Sequence, residues 1–354
     1  MLSLHGIRAN KTHLEAAMKQ AVCAFLLTIL GGVLPVQAQV GLVCSDNRQT
    51  VFAKEQVRRH VVVTSSEAVK GRLTWRLSAA NATLASGELP LDLKANDPAD
   101  SEIAFQAPEI KEGVRLPAQF EAAFVAEGSD KPVRLVRPLT IFALDAFAFR
   151  KEWLKGLEIT LFDPAEKTYA CFEKHEVAFK AVNKVDAISE LKKGVLVVGE
   201  GVSFADYKGL AGLLHQAAAR GIAVIVLALA GGEFPLAGTG DPDVAFPVPL
   251  SMSMSGPDII RKLDKQLDVA GWPPDGAVAD ARLCLRGDKG PVTVEVAQGG
   301  GDGWVWLELD YRPEGNRLIA CGFPIIRKWE TAPSASYLFA AILESLEKGK
   351  TQGN

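Results

Sequence analysis

Two stretches decide how this chain folds: Gly194-Val195-Leu196-Val197-Val198-Gly199 and Gly221-Ile222-Ala223-Val224-Ile225-Val226-Leu227. Each is a short, unbroken apolar run, the pattern of a strand covered on both faces. Between them, Asp206 to Arg220 places Leu210, Leu213, Leu214 and Ala217 at helical spacing, and Gly221 supplies a stop. Strand, helix and strand with joints this short read as a βαβ unit with parallel pairing and a right-handed crossover.

Upstream, Leu157 to Phe162 reads as a strand ending at Asp163-Pro164. Thr168 to Lys174 follows as a short helix, Val177 to Val182 as a strand, and Val185 to Leu191 as a linker or helix. Downstream, Trp304 to Leu309 and Asn316 to Gly322 read as strands, and Ser334 to Leu346 as a closing amphipathic helix.

Before about residue 150 the pattern changes. Val61-Val62-Val63-Thr64, Gly71 to Leu77 and Gln119 to Val125 are β-branched or alternating runs, separated by turn-rich segments at 94–98, 111–113 and 127–130. Strands so spaced, with no helical period between them, predict an antiparallel sandwich of immunoglobulin size with Trp75 pointing inward. The expected fold class is thus an N-terminal immunoglobulin-like β-sandwich (39–150) followed by a flavodoxin-like α/β domain (151–348), with a tail at 349–354.

The N-terminus has the build of a secretory signal peptide: Lys19, an apolar run from Ala21 to Val33, then Val36-Gln37-Ala38 as a cleavage pattern. Residues 1–38 are therefore expected to be removed, with Met18 the natural start and 1–17 an over-extension. The run falls short of the roughly 20 apolar residues a spanning helix needs. A lipoprotein is disfavoured, because Cys23 lies early in the apolar run and bulky Val43 precedes Cys44. Export places the chain in the periplasm or outside the cell. There Cys44, Cys171, Cys284 and Cys321 could pair or remain buried thiols.

The 354 residues are 48% hydrophobic and 23% charged, a globular composition. A net charge of -3 and a pI near 6.0 give no basic footprint for nucleic acid. The cluster Arg58-Arg59-His60, flanked by valines, reads as a solvated strand end.

Ile159 to Pro164 with Lys167-Thr168, then Gly199-Glu200-Gly201 after an apolar strand, resembles class I glutamine-amidotransferase-like domains. So does Gly322-Phe323-Pro324 followed by Ala332-Pro333-Ser334-Ala335 and a terminal helix. More narrowly, the chain is similar to non-catalytic versions of that flavodoxin-like fold found beside β-sandwich modules in exported bacterial proteins related to glycoside hydrolase family 2. The resemblance covers roughly residues 155 to 348 and, more weakly, the sandwich. It implies a binding or assembly role with a polysaccharide or another envelope protein as partner.

The amidotransferase reaction needs a Cys nucleophile on an elbow and a His with a carboxylate in reach. The turn 199–204 holds no Cys, and neither His175 nor His215 opens an H-x-E pair. Ser203 approximates a replacement nucleophile in Gly201-Val202-Ser203-Phe204-Ala205, yet Ser203 to Asp206 also has the spacing of a helix N-terminal cap. His215 lies on the same expected helix, about 18 Å along its axis, and cannot turn back to Ser203.

The competing class is a hydrolase, specifically a glycosidase working through carboxylates at strand ends: Glu200, Glu308 and Asp310 as catalytic candidates. Glu200 and Glu233, with Trp272 and Trp329 as stacking platforms, are the ligand-binding candidates. A purely structural envelope protein is the third reading. Gly238 to Asp243 offers oxygens but matches no calcium loop, and Gly299 to Gly303 lacks a phosphate signature. No metal or cofactor is expected.

Overall fold

The computed structural model describes residues 39–236, 246–272, 278–287, 292–298 and 302–351. The signal-peptide reading, the 238–243 loop and Gly299 to Gly301 lie outside them. The chain from Val40 onward forms one compact unit.

Eight strands come first: β1 (Val40–Cys44), β2 (Thr50–Phe52), β3 (Gln56–Ser65), β4 (Val69–Ala79), β5 (Ala82–Leu93), β6 (Ala99–Gln106), β7 (Arg115–Ala126) and β8 (Val133–Phe142). They form a three-stranded sheet, β1-β3-β6, and a five-stranded sheet, β2-β8-β7-β4-β5. All pairs are antiparallel except β2 with β8. Period-2 alternation drives the packing: Val57, Val61 and Val63 from β3 meet Leu73, Leu77, Phe120, Ala122 and Phe124 in one core. Trp75 points into it and stacks on Phe105 at 5.7 Å and Phe120 at 6.5 Å.

Arg59 departs from the expected solvated strand end. It shares the inward parity of Val57 and Val61, is 1% exposed, and is ion-paired with Asp46. Only its neighbours Arg58 and His60 face outward.

After the helix α1 (Lys151–Gly156) come β9 (Ile159–Phe162), α2 (Lys167–Lys174), β10 (Lys180–Val182), a 3-10 turn at Val185–Ile188, β11 (Val195–Val198), α3 (Leu210–Ala219) and β12 (Ala223–Leu227). The remaining elements are β13 (Glu233–Pro235), β14 (Ser251–Ser255), α4 (Ile259–Leu263), a second 3-10 turn at Val269–Gly271, β15 (Ala281–Arg286), β16 (Thr293–Gln298), β17 (Trp306–Asp310), β18 (Arg317–Cys321), α5 (Ile325–Lys328) and α6 (Pro333–Thr351). The main sheet runs β10-β9-β11-β12-β18-β17-β14. From β10 to β18 all neighbours are parallel, and β17 and β14 continue the sheet antiparallel.

The unbroken apolar runs are explained by two cores. Val195, Val197, Ala223, Ile225 and Leu227 face one, closed by α6. Leu196, Val198, Val224 and Val226 face the other, closed by α3 and the small sheet β13-β16-β15. The sandwich joins the first of these cores through Phe142, Ala146 and Phe147. At this junction Phe142 meets Tyr337 edge-on at 4.7 Å, and Thr50 Oγ1 lies 3.4 Å from Ser334 Oγ. Arg115 is ion-paired with Asp264 and lies over the Phe142 and Tyr337 rings.

Candidate functional site

In open α/β sheets, ligands bind beyond the carboxyl ends of the parallel strands, where the strand order reverses. Here that place lies between β9 and β11, and two acids follow these strands: Asp163 and Glu200.

Glu200 is buried, and both carboxylate oxygens are taken. Oε2 accepts the backbone N–H of Ile326 at 2.8 Å, and Oε1 that of Arg327 at 3.2 Å. Its own N–H donates to Thr168 Oγ1 at 2.9 Å. One residue thus ties the end of β11 to the starts of α2 and α5. Burial pushes its carboxyl up to about 7, against the opposing pull of the two N–H donors. Glu200 is therefore not a free acid at the strand end: each of its oxygens already holds a backbone N–H of α5.

Asp163 is also buried. Its Oδ2 accepts the N–H of Tyr169 at 2.8 Å, and its Oδ1 has no hydrogen-bond partner. Burial raises its carboxyl above the ordinary range. Sequence reasoning took Asp163 only as the end of a strand; the Asp-Pro pair masked a buried acid.

Ser203 does not cap a helix. The expected helix from Asp206 begins at Leu210, where Gly209 takes the N-cap position with φ 85 and no side chain caps. Ser203 instead forms an isolated parallel bridge with Gly231, and its Oγ accepts the N–H of Ala205 at 3.2 Å in a local turn. The S-x-x-D spacing misled because the bridge holds 202–204 against 230–231 and local turns carry the chain from there to Leu210.

The histidines are engaged elsewhere. His175 Nε2 lies 3.2 Å from Glu330. His215 is buried, and its Nε2 lies 2.8 Å from the Pro235 carbonyl, which can only accept; Nε2 therefore carries the proton and Nδ1 accepts from the Tyr311 hydroxyl. Burial lowers the His215 imidazole to about 4.

Glu308 and Asp310 do not join this place. They lie on β17, whose direction is reversed: Asp310 pairs with Arg317, the first residue of β18, at the amino ends of the parallel strands. Neither is a free acid. Arg317 Nη1 donates to Glu308 at 3.0 Å, and Arg312 holds Asp310 well below the usual carboxylate range. Glu233 is exposed on β13 and borders a cleft of about 660 Å³ that Asp186, Tyr207, Lys208 and Gln216 also line.

Trp272 and Trp329 are 5% and 4% exposed, so neither is a sugar platform. Trp272 stacks on Phe323 at 5.9 Å, and Trp329 packs among Phe147, Phe172 and Phe339. Trp306 is also buried, whereas Trp304 is 45% exposed.

The four described cysteines are free thiols. Burial pushes Cys171 and Cys321 up to about 12, with the Glu200 charge adding to both, so neither is a ready nucleophile. Among the described residues no three His, Cys, Asp or Glu side chains come together to hold a metal, and no helix is long and apolar enough to cross a membrane.

No protein-family model matches the chain, and no curated protein sequence is similar to it. Solved structures overlap it in part. The sporulation control protein Spo0M from Bacillus subtilis is 14% identical over 30% of this chain, with a TM-score of 0.20; the match spans 49% of that protein, about half its length. The CooA pilin subunit from enterotoxigenic Escherichia coli is 11% identical, covering 29% of this chain and 97% of its own, with a TM-score of 0.23. A β-glucosidase from Listeria innocua is 12% identical, covering 30% of this chain and 16% of its own, with a TM-score of 0.21. Likenesses this slight carry no argument about fold or function.

Proposed function

We propose that this chain is an exported, non-catalytic binding or assembly protein. In this reading an immunoglobulin-like sandwich carries a flavodoxin-like domain of the class I glutamine-amidotransferase type, with its reactive positions given over to structure. The order of the parallel strands supports the flavodoxin-like assignment: numbered from β9 along the chain it reads 2-1-3-4-5, a doubly wound order.

The observation that carries the reading is Glu200. It sits where a doubly wound fold holds its ligand, yet both its oxygens bind the backbone of α5. A working hydrolase needs nucleophile, base and oxyanion donor together, and fold alone does not supply them. Ser203 has a backbone N–H on its oxygen, and the two histidines of this domain bind other partners.

A glycan-array screen and hydrolysis assays on the same purified protein test the reading. Retention on a polysaccharide without turnover is the outcome for a binding role, and neither retention nor turnover the outcome for assembly. Turnover of any arrayed glycan overturns the proposal. Export is tested by N-terminal sequencing after expression in a bacterial host: Gln39 is expected first, and an intact Met1 or Met18 contradicts it.

A further inference from the structure

The five-stranded sheet of the sandwich turns one face to the core and the other to solvent. On the outer face Thr74 of β4 pairs with Glu88 of β5 and with Ala123 of β7, and Ala123 pairs with Arg134 of β8. Thr74 and Ala123 are short, whereas Arg72 and Arg76 flank Thr74 along β4, about 13 Å apart at the antiparallel rise. The row of short side chains forms a cleft of about 640 Å³, with Glu88 at one end and Arg134 at the other.

Two guanidinium groups converge on one carboxylate in its wall. Arg76 Nη2 donates to Glu121 Oε2 at 2.9 Å, and Arg134 Nη1 donates to Oε1 at 3.2 Å. The Glu121 side chain is 20% exposed, against 53% for Arg76 and 63% for Arg134, so the acid lies low and the arginines stand above it. One carboxylate neutralises only one of them, and Arg72 and Glu88 cancel each other at 3.3 Å. The walls therefore keep one surplus positive charge in a chain whose net charge is -3. Each guanidinium has five N–H donors and spends one on Glu121. The donors left over form forks that match a second carboxylate. Exposed ion pairs are weak, so a ligand carboxylate displaces little on arrival.

We propose that this cleft binds a hexuronate residue of an acidic polysaccharide, its carboxylate on Arg76 and Arg134 and its ring over Thr74 and Ala123. The surplus charge selects the carboxylate, and the rest of the cleft suits a hydroxylated ring. Thr74 Oγ1 donates to the Ala123 carbonyl at 3.2 Å and keeps lone pairs to accept with. Ser86 is exposed beside Arg76, and Glu88 adds acceptor oxygens at the far end. Sugar hydroxyls thus find both donors and acceptors. An acidic peptide fits less well, because β4 and β7 are each paired on both sides and their backbone groups are spent within the sheet. The inference rests on the binding role proposed above and gives it a site and a ligand class.

Calorimetric titration of the purified chain with tetramers of galacturonate, glucuronate and mannuronate, and with their carboxyl-reduced counterparts, tests it. At least one acid tetramer should bind, at least about tenfold more tightly than its reduced form and more weakly as salt rises. Arg76→Gln and Arg134→Gln should each weaken that binding about tenfold, whereas Lys180→Ser in the α/β part should leave it unchanged. Unchanged melting temperatures establish that the variants fold; one that melts lower is replaced by Lys at the same position, which keeps the charge and loses the fork. No binding of any acid tetramer, or equal binding of the reduced forms, overturns the proposal. So does binding that survives both arginine substitutions. Retention of a neutral glycan alone overturns this site and ligand while the general binding role stands, so the two readings fail separately.

Discussion

Gly199 lies against Asp163 so closely that a β-carbon on Gly199 would sit 2.5 Å from Oδ1. The buried acid at the end of β9 therefore dictates the glycine at the end of β11. Gly199→Ala should destabilise the protein by about 1–3 kcal/mol through this overlap, measured by urea unfolding. The penalty should shrink in an Asp163→Ala background, because the two changes share one contact.

Glu200 and His215 impose opposite pH dependences. The carboxyl, raised from 4.5 to about 7, binds its proton more readily in the folded protein, so its contribution falls as pH rises across that interval. The imidazole, lowered from 6.5 to about 4, binds its proton more readily in the unfolded chain, so its contribution falls as pH drops from 6.5 towards 4. In the wild type the two slopes offset each other where they overlap. Relative to it, Glu200→Gln should lose stability more steeply on acidification below about 6.5, and His215→Asn more steeply as pH rises from about 4.5 to 6.5. Melting temperatures across pH 4 to 8 check both signs.

The junction between sandwich and α/β part should make the two melt together. Arg115, from β7, is ion-paired with Asp264 just past α4 and packs 5.0 Å over the Tyr337 ring of α6. Tyr337 in turn donates its hydroxyl proton to the Ala143 carbonyl at 3.3 Å. A single calorimetric transition is expected, and Arg115→Ala should lower stability by about 1–3 kcal/mol. Two separate transitions in the wild type contradict this coupling.

Much of the scaffold was legible because burial on two faces leaves a loud signal. The runs at 195–198 and 223–227 read directly as covered strands, and the valines of β3 and the phenylalanines of β7 betray the sandwich by alternation. The strands between β12 and β17 went unread. Ser251-Met252-Ser253-Met254-Ser255 has no β-branched residue, and β15 and β16 form a small sheet apart from the main one.

The candidate site was less legible, since its logic lies in partners remote in sequence. Nothing local to Glu200 announces the N–H groups of Ile326 and Arg327, more than a hundred residues away. Nor does anything local to Arg59 announce Asp46. Nor does anything local to Glu308 and Asp310 say at which end of the sheet a reversed strand leaves them.

Ser203 should prove nearly silent. Its Oγ accepts one local N–H at an exposed turn and caps no helix, so Ser203→Ala should change stability by less than about 0.5 kcal/mol. Loss of a helix cap would cost about 1 kcal/mol instead. Equilibrium unfolding of the variant separates the two.

The most direct test of the non-catalytic account is turnover of ester, amide and glycoside substrates by the purified chain. With Glu200 bound to α5 and Ser203 bound to Ala205, hydrolysis no faster than in buffer is predicted for every substrate, and Glu200→Gln and Ser203→Ala should behave identically to the wild type. Measurable turnover that disappears in either variant, while its far-ultraviolet circular dichroism stays unchanged, would contradict the account.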